Sequence, residues 1–364
     1  MDPLKNVYSP AFLQGLANDI VAIVPEFDGA AFVTSVQSGG WIQMELKQRM
    51  RQISDKLHDY LPGDYQNQVG IICNLTGRLA ANNVSSFAYL CLPDFVGKYG
   101  TGHIRLSLDA IEKITQFVSC EFAIRPFLLE NAPKVMARML RWSKHSHAHV
   151  RRFASEGCRP RLPWGNAIPA FKNDPAPILP ILDNLKDDPS EFVRKSVANN
   201  INDIAKDRPD VVLELIRKWK GKSERTDWIL RHGARTLLRR ADPDIYKMFG
   251  LSGMHQCEVS QLSVSTKKVV AGDSVLFRFV LINKAATAAL FRIEIGVDYV
   301  KSNGSTSRKL FKISERKFEP AIEYTFSRRI SFADLTTRKH YPGKHKIAVI
   351  VNGRELGSRQ VMLS

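Results

Sequence analysis

Between residues 151 and 165 the chain reads RRFASEGCRPRLPWG, with four arginines, one glutamate and a Pro-Trp pair near its end. Phased at 100° per residue, Val150, Phe153, Ala154 and Gly157 fall on one narrow stripe, the side expected to pack. Arg152, Glu156 and Arg159, at i, i+4 and i+7, share the opposite side. Guanidinium groups in such a row hold phosphate oxygens, and a carboxylate among them stabilises positive charge on a reacting group. The plain alternative is a solvated helix face whose Arg–Glu pair contributes about 0.3 kcal/mol. Nearby Arg161 extends the basic character, and Trp164 offers an apolar plane.

The elements that must position these residues are helical. From about residue 10 to 250, apolar residues recur at i, i+3 and i+4 between Pro, Gly and Asn breaks, as in SLDAIEKITQFVS (107–119). An aliphatic-Arg-x-x-aliphatic motif recurs at Ile124-Arg125, Val150-Arg151, Val193-Arg194 and Leu230-Arg231. Its spacings of 26, 43 and 37 residues have the look of HEAT-like helix pairs, which stack into a solenoid with an extended concave face. The motif arginines serve either as inter-repeat ion-pair partners or as phosphate contacts. Shifting the Arg152, Glu156, Arg159 row by 43 residues reaches Lys195, Asn199 and Asn202, and a further 37 reaches His232, Thr236 and Arg239. Lys206 adds a cation beyond that row, and Asp203 is a further acid that phases nearer the packed side.

Past Cys257 the texture changes to short alternating runs such as VLFRFVLIN and HKIAVIVNG, separated by turns including Asn303-Gly304 and Asn352-Gly353. About seven strands in this stretch predict an immunoglobulin-like sandwich without an inter-sheet disulfide, since it holds only Cys257. The expected organisation is a helical-repeat domain over 1–252 and an all-β domain over 253–364, joined near Leu251-Ser252-Gly253. The expected fold class is therefore mainly α, a helical-repeat solenoid followed by a β-sandwich.

Charge narrows the partners. The formal net charge is +17, and residues 256–364 alone hold 19 Lys and Arg against 9 Asp and Glu. Both parts are basic, which suits a polyanion such as DNA, RNA or an anionic membrane surface. Five scattered cysteines without a C-x-x-C predict buried thiols in a reducing compartment. The N-terminus lacks a secretion signal and no apolar run is long enough to span a bilayer, so the expectation is cytoplasmic, without membrane contact. A phosphate loop fails because Ile216 stands where the first glycine belongs before Gly221-Lys222-Ser223. G-x-S-x-G, H-E-x-x-H and the dinucleotide fingerprint are absent, and His145, His147 and His149 read as a solvated turn, so no metal or cofactor is expected.

What remains is a carboxylate in a basic groove. It repels phosphate, so a nucleic-acid groove tolerates it best when the target carries a local positive charge, as an N-alkylated base does. Glu156 then attracts the cation and stabilises an oxocarbenium-like sugar as the glycosidic bond breaks. The competing reading is a non-enzymatic helical-repeat scaffold that binds nucleic acid.

The strings ITQFVSCEFAIRPFL (114–128), HVRRFASEGCRPRLPW (149–164), FVRKSVANNINDIAKDRPD (192–210) and WILRHGARTLLRR (228–240) resemble the bacterial HEAT-like-repeat DNA alkylation repair glycosylases, specifically the AlkC branch. TTRKHYPGKH and VNG (336–353) resemble the immunoglobulin-like domain that some members append. The resemblance implies a monofunctional glycosylase that removes 3-methyladenine and 3-methylcytosine from double-stranded DNA without a metal or deep base flipping, and a monomer is the expected state. It implies Glu121 and Glu156 as the carboxylates near the lesion, with Trp164 and Arg152 on the damaged nucleotide or the opposing strand. Phosphate contacts are expected from Arg159, Arg161, Lys195, Asn199, Asn202, Lys206 and Arg239, with Asp203 a third acid at the DNA. In the β-domain, Arg338 and Lys339 are the expected contacts.

Overall fold

The computed structural model describes residues 3–82, 84–251, 257–335 and 338–364. The chain divides into two compact units, Met1–Ala234 and Arg235–Ser364.

The first unit is helical. The helices bearing the repeated motif, Ile124–Trp142, Ala148–Gly157, Glu191–Asp207 and Glu224–Gly233, pack against one another in chain order, as stacked helical repeats do. Asn131 (φ −147°, ψ 62°) and Pro133 bend the first of them, since proline removes an intrahelical bond and crowds the preceding turn. The Ala148–Gly157 helix buries Val150, Phe153, Ala154 and Gly157, the stripe that its phasing predicts. Gly157 is needed there: a Cβ would lie 2.9 Å from Met139 Cε and 3.1 Å from Ile124 Cγ2.

Two of the motif arginines act on the loop entering their own helix. Arg151 donates to the carbonyls of His145 and Ser146, and Arg194 to those of Asp188 and Pro189. In both cases the side chain folds back to residues i−6 and i−5 and satisfies the loop entering its helix. Arg151 also pairs with Asp188 from the neighbouring loop at 2.6 Å.

Among the described residues of the second unit, eight strands form two sheets: β1 (Cys257–Val264), β2 (Lys268–Val269), β3 (Ser274–Asn283), β4 (Ala289–Val300), β5 (Thr306–Phe318), β6 (Glu323–Ser331), β7 (Gly343–Val351) and β8 (Arg354–Leu363). One sheet runs β1-β3-β6 and the other β2-β8-β7-β4-β5. Phe277, Phe279, Phe291, Ile295, Phe318 and Val349 fill the core between them, giving the immunoglobulin-like sandwich that alternation predicts. The β7–β8 turn carries Asn352 (φ 44°) and Gly353 (φ 79°), the paired left-handed conformations of a type I′ hairpin.

The expected junction at Ser252-Gly253 lies outside the described residues. The short helices Arg235–Arg239 and Pro243–Met248 belong to the sheet unit. A Cβ on Gly353 would meet Ala241 and Tyr246 at 2.5 and 3.0 Å, so this segment packs on the hairpin turn. Thr236 and Arg239 of the projected row lie beyond Ala234 and belong to the sheet unit. None of the five cysteines is in a disulfide, and burial pushes the Cys158 thiol up to about 12. No helix among the described residues is long and apolar enough to cross a membrane.

Candidate active-site cleft

Arg152 reaches from the Ala148–Gly157 helix to the turn before Ile124, where its guanidinium pairs with Glu121 and donates to Ser119 Oγ at 2.6 Å. Ser119 in turn donates to Glu121. The other arm of Arg152 lies 3.6 Å from Glu156 Oε1. Arg159 donates to the same oxygen at 2.6 Å and to Asp203 Oδ2 at 2.8 Å. Lys206 closes the series at 2.9 Å from Asp203 Oδ1. Acid and base thus alternate along Glu121, Arg152, Glu156, Arg159, Asp203 and Lys206. Burial works against charge on Arg159, but Glu156 and Asp203 outweigh it and hold the guanidinium above its ordinary pKa.

This arrangement corrects the expectation of an unpacked Arg152–Glu156–Arg159 face. Glu156 and Arg159 are only 5% and 6% exposed. The Glu191–Asp207 helix packs over that side, where Ser196 Oγ donates to Glu156 Oε2 at 2.6 Å and Asn200 Nδ2 to the Ser155 carbonyl at 2.8 Å. Arg159, Asn202 and Asp203 are buried, where the sequence led to the expectation of exposed contacts. Asn199 is half-buried, whereas Lys195 and Lys206 are exposed. Arg161 pairs with Asp207 and Lys195 with Glu191, so these two cations also carry acid partners.

A cleft of about 420 Å³ opens on the network, lined by Glu121, Glu156 and Arg159 together with Phe87, Phe122 and Trp164. Trp164 is 61% exposed and sits at φ 64°, a left-handed conformation strained for a bulky residue. The surrounding structure holds it there. Lys47 donates to the Trp164 carbonyl and stands 4.9 Å from the Phe122 ring centroid. Arg125, fully buried, donates to the carbonyls of Gly157, Arg159 and Asn166 at 2.8–3.0 Å. Burial lowers its pKa to about 10, so it remains a cation at neutral pH and pins both ends of the Trp164 loop.

Aromatic planes beside two acids suit a flat cationic group. Each carboxylate already has a hydroxyl and a guanidinium that fix its orientation, so little reorganisation accompanies a change of charge in the cleft. Ser119, Ser196, Lys47, Phe87 and Phe122 escaped the sequence reading. Ser196 alone had a usable signal: it lies one turn before Asn199 on the projected row. Arg338 and Lys339 lie in the sheet unit, where Arg338 stacks 4.5 Å from the Tyr299 ring centroid and Lys339 is exposed. Arg239 belongs with them, since it and Arg338, together with burial, hold Lys309 below its ordinary pKa.

Residues 104–237 match the family described as DNA alkylation repair enzyme, and residues 258–364 match the C-terminal Ig-like domain of the uncharacterised protein YhaZ. YhaZ of Bacillus subtilis (strain 168) is 39% identical over 353 residues, 97% of each chain. The solved structure of Pseudomonas fluorescens alkylpurine DNA glycosylase AlkC, bound to DNA containing an abasic site analog, is 36% identical with a TM-score of 0.94 over 100% of both chains. The chain belongs to the DNA alkylation repair enzyme family, in its AlkC branch with an appended immunoglobulin-like domain, and is a DNA glycosylase.

Proposed function

We propose that this glycosylase excises cationic N-alkylated bases, 3-methyladenine and 3-methylcytosine among them, from duplex DNA. The observation that carries the reading is the cleft whose lining combines the carboxylates of Glu121 and Glu156 with the aromatic rings of Phe87, Phe122 and Trp164. Glu121, with 18% of its side chain exposed against 6% for Glu156, meets the cationic base first. As the C1′–N bond breaks, the bonding electrons pass to the base, which leaves neutral. The positive charge moves to the sugar, where the Glu156 carboxylate stabilises it until water adds at C1′ and loses a proton. An abasic site remains. The cleft is open at Trp164, which favours action on a base displaced toward the surface over one drawn into a deep pocket. Arg152 positions both acids and, with Trp164, borders the damaged nucleotide. The enzyme works as a monomer in the cytoplasm, and its chemistry rests on side chains of the chain itself.

Incubation with methylated duplex DNA, followed by chromatographic identification of released bases, tests this reading. Release of 3-methyladenine and 3-methylcytosine is expected. Release of neutral methylated bases at equal rates contradicts the electrostatic mechanism, and absence of any release points to a DNA-binding scaffold.

A further inference from the structure

We propose that a cavity of about 210 Å³ in the sheet unit, beside His340, is a binding site for a phosphate group. His340 lines it together with Tyr299, Lys309, Arg328, Arg329 and Arg338. The His340 side chain is only 2% exposed, and neither ring nitrogen has a hydrogen-bond partner among the described residues. Asp334 stands 3.6 Å from Nδ1, beyond hydrogen-bond length, and pairs with the ring as an ion only when the imidazole is protonated. The ring does not lack a fixed place, because Tyr299 and Phe332 hold it at centroid distances of 5.1 and 5.7 Å.

His345, five residues on, is the internal comparison. It is fully buried, yet its Nε2 meets the Tyr341 carbonyl at 3.0 Å and its Nδ1 accepts from Val300 N at 3.4 Å. A buried imidazole in this unit can thus be satisfied by protein, and His340 is not. An unmade hydrogen bond on a buried group is costly and calls for an explanation.

The four cations point to what completes it. Arg308, adjacent to Lys309 on β5, has Asp298 and Glu355 as partners. Lys309, Arg328, Arg329 and Arg338 have no acid within ion-pair distance among the described residues. Such a group, with one imidazole N–H donor, matches the several acceptor oxygens and the charge of a phosphoryl group. Two sources carry that chemistry, a nucleic-acid backbone phosphodiester and free phosphate. The site stands apart from the base-excision reading, because it is measured without alkylated DNA.

Titration of the full chain with inorganic phosphate, followed by calorimetry and by NMR of the histidine ring protons, tests the proposal. Saturable binding at one site is expected, with the His340 resonances moving and those of His345 staying in place. Lys309→Ala and Arg338→Ala, both at the cavity wall, should each weaken binding at least tenfold without altering the fold. Competition by undamaged duplex DNA assigns the site to a backbone phosphate, and lack of competition assigns it to free phosphate; either result upholds a phosphate site. No saturable binding, or binding unchanged by both substitutions, overturns it.

Discussion

The helical cleft and the His340 cavity both sit in a basic chain, yet they handle charge in opposite ways. In the cleft, Arg152, Arg159 and Lys206 alternate with Glu121, Glu156 and Asp203, and neighbouring Arg161 has Asp207. Around His340, four cations stand without acid partners among the described residues. Net charge of +17 therefore says less about function than the local pairing does. A balanced network with two acids on an open wall suits a cationic target, and an unbalanced cluster suits an anion.

The comparison predicts different costs for removing a cation. Arg159→Ala removes the buried guanidinium shared by Glu156 and Asp203, leaves Arg152 at 3.6 Å and Lys206 at 2.9 Å as their remaining cations, and should destabilise the helical unit by about 3 kcal/mol. Arg338→Ala relieves repulsion with Lys309 and should leave stability within about 0.5 kcal/mol of the parent. Thermal or denaturant unfolding measures both. Equal losses in the two variants would break the distinction.

Ser196→Ala tests the cleft alone. Loss of the hydroxyl that orients Glu156 Oε2 should lower kcat for base release about tenfold with KM nearly unchanged. A rise in KM alone would place Ser196 in binding and not in positioning.

On duplex DNA, replacing Arg338 and Lys339 together should reduce the slope of log K against log salt by about 2, whereas Arg161→Ala should reduce it by less than about 1. Fluorescence anisotropy over a salt series measures the slopes. A larger effect at Arg161 would reverse the assignment of paired and unpaired cations.

The smallest expected effect is on pH. Burial lowers the pKa of His345 and, together with Arg338, that of His340. Unfolded imidazoles titrate near about 6.5, so as pH falls the unfolded state takes up protons first. The stability these neutral rings contribute is complete above about 6.5 and is lost as pH drops from there through their folded values. Hydrogen exchange in β4 and β7 of the full chain should accelerate between pH 7 and 5 relative to the intrinsic rate. Phosphate should recover part of the protection if it holds His340 protonated.

Much of the fold was legible because it rests on periodicity. The stripe of Val150, Phe153, Ala154 and Gly157, the alternation past Cys257 and the Asn352-Gly353 turn are local patterns with local causes. Resemblance to a known family, and not spacing, raised Glu121 from a turn residue to a candidate acid. The burial of Glu156 and Arg159 was illegible, since phasing one helix locates its most apolar side but not a second neighbour over the polar one. The ladder was hidden for the same reason: Glu121 and Arg152 lie 31 residues apart, and Glu156 and Ser196 lie 40 apart. Small polar residues such as Ser119 and Ser196 carry no periodic signal. The vacant hydrogen bonds of His340 depend on three-dimensional packing, which no spacing in the sequence records.

Single-turnover excision of 3-methyladenine from duplex DNA by Glu156→Gln, measured beside equilibrium binding of the same duplex, is the most direct test of the cleft. Glutamine keeps the shape of the side chain and removes only its charge. Excision should fall by about 10²- to 10³-fold, with binding retained or tightened because a charge that repels phosphate is gone. Excision at the parent rate would contradict the assignment of Glu156 as the acid that stabilises the sugar cation.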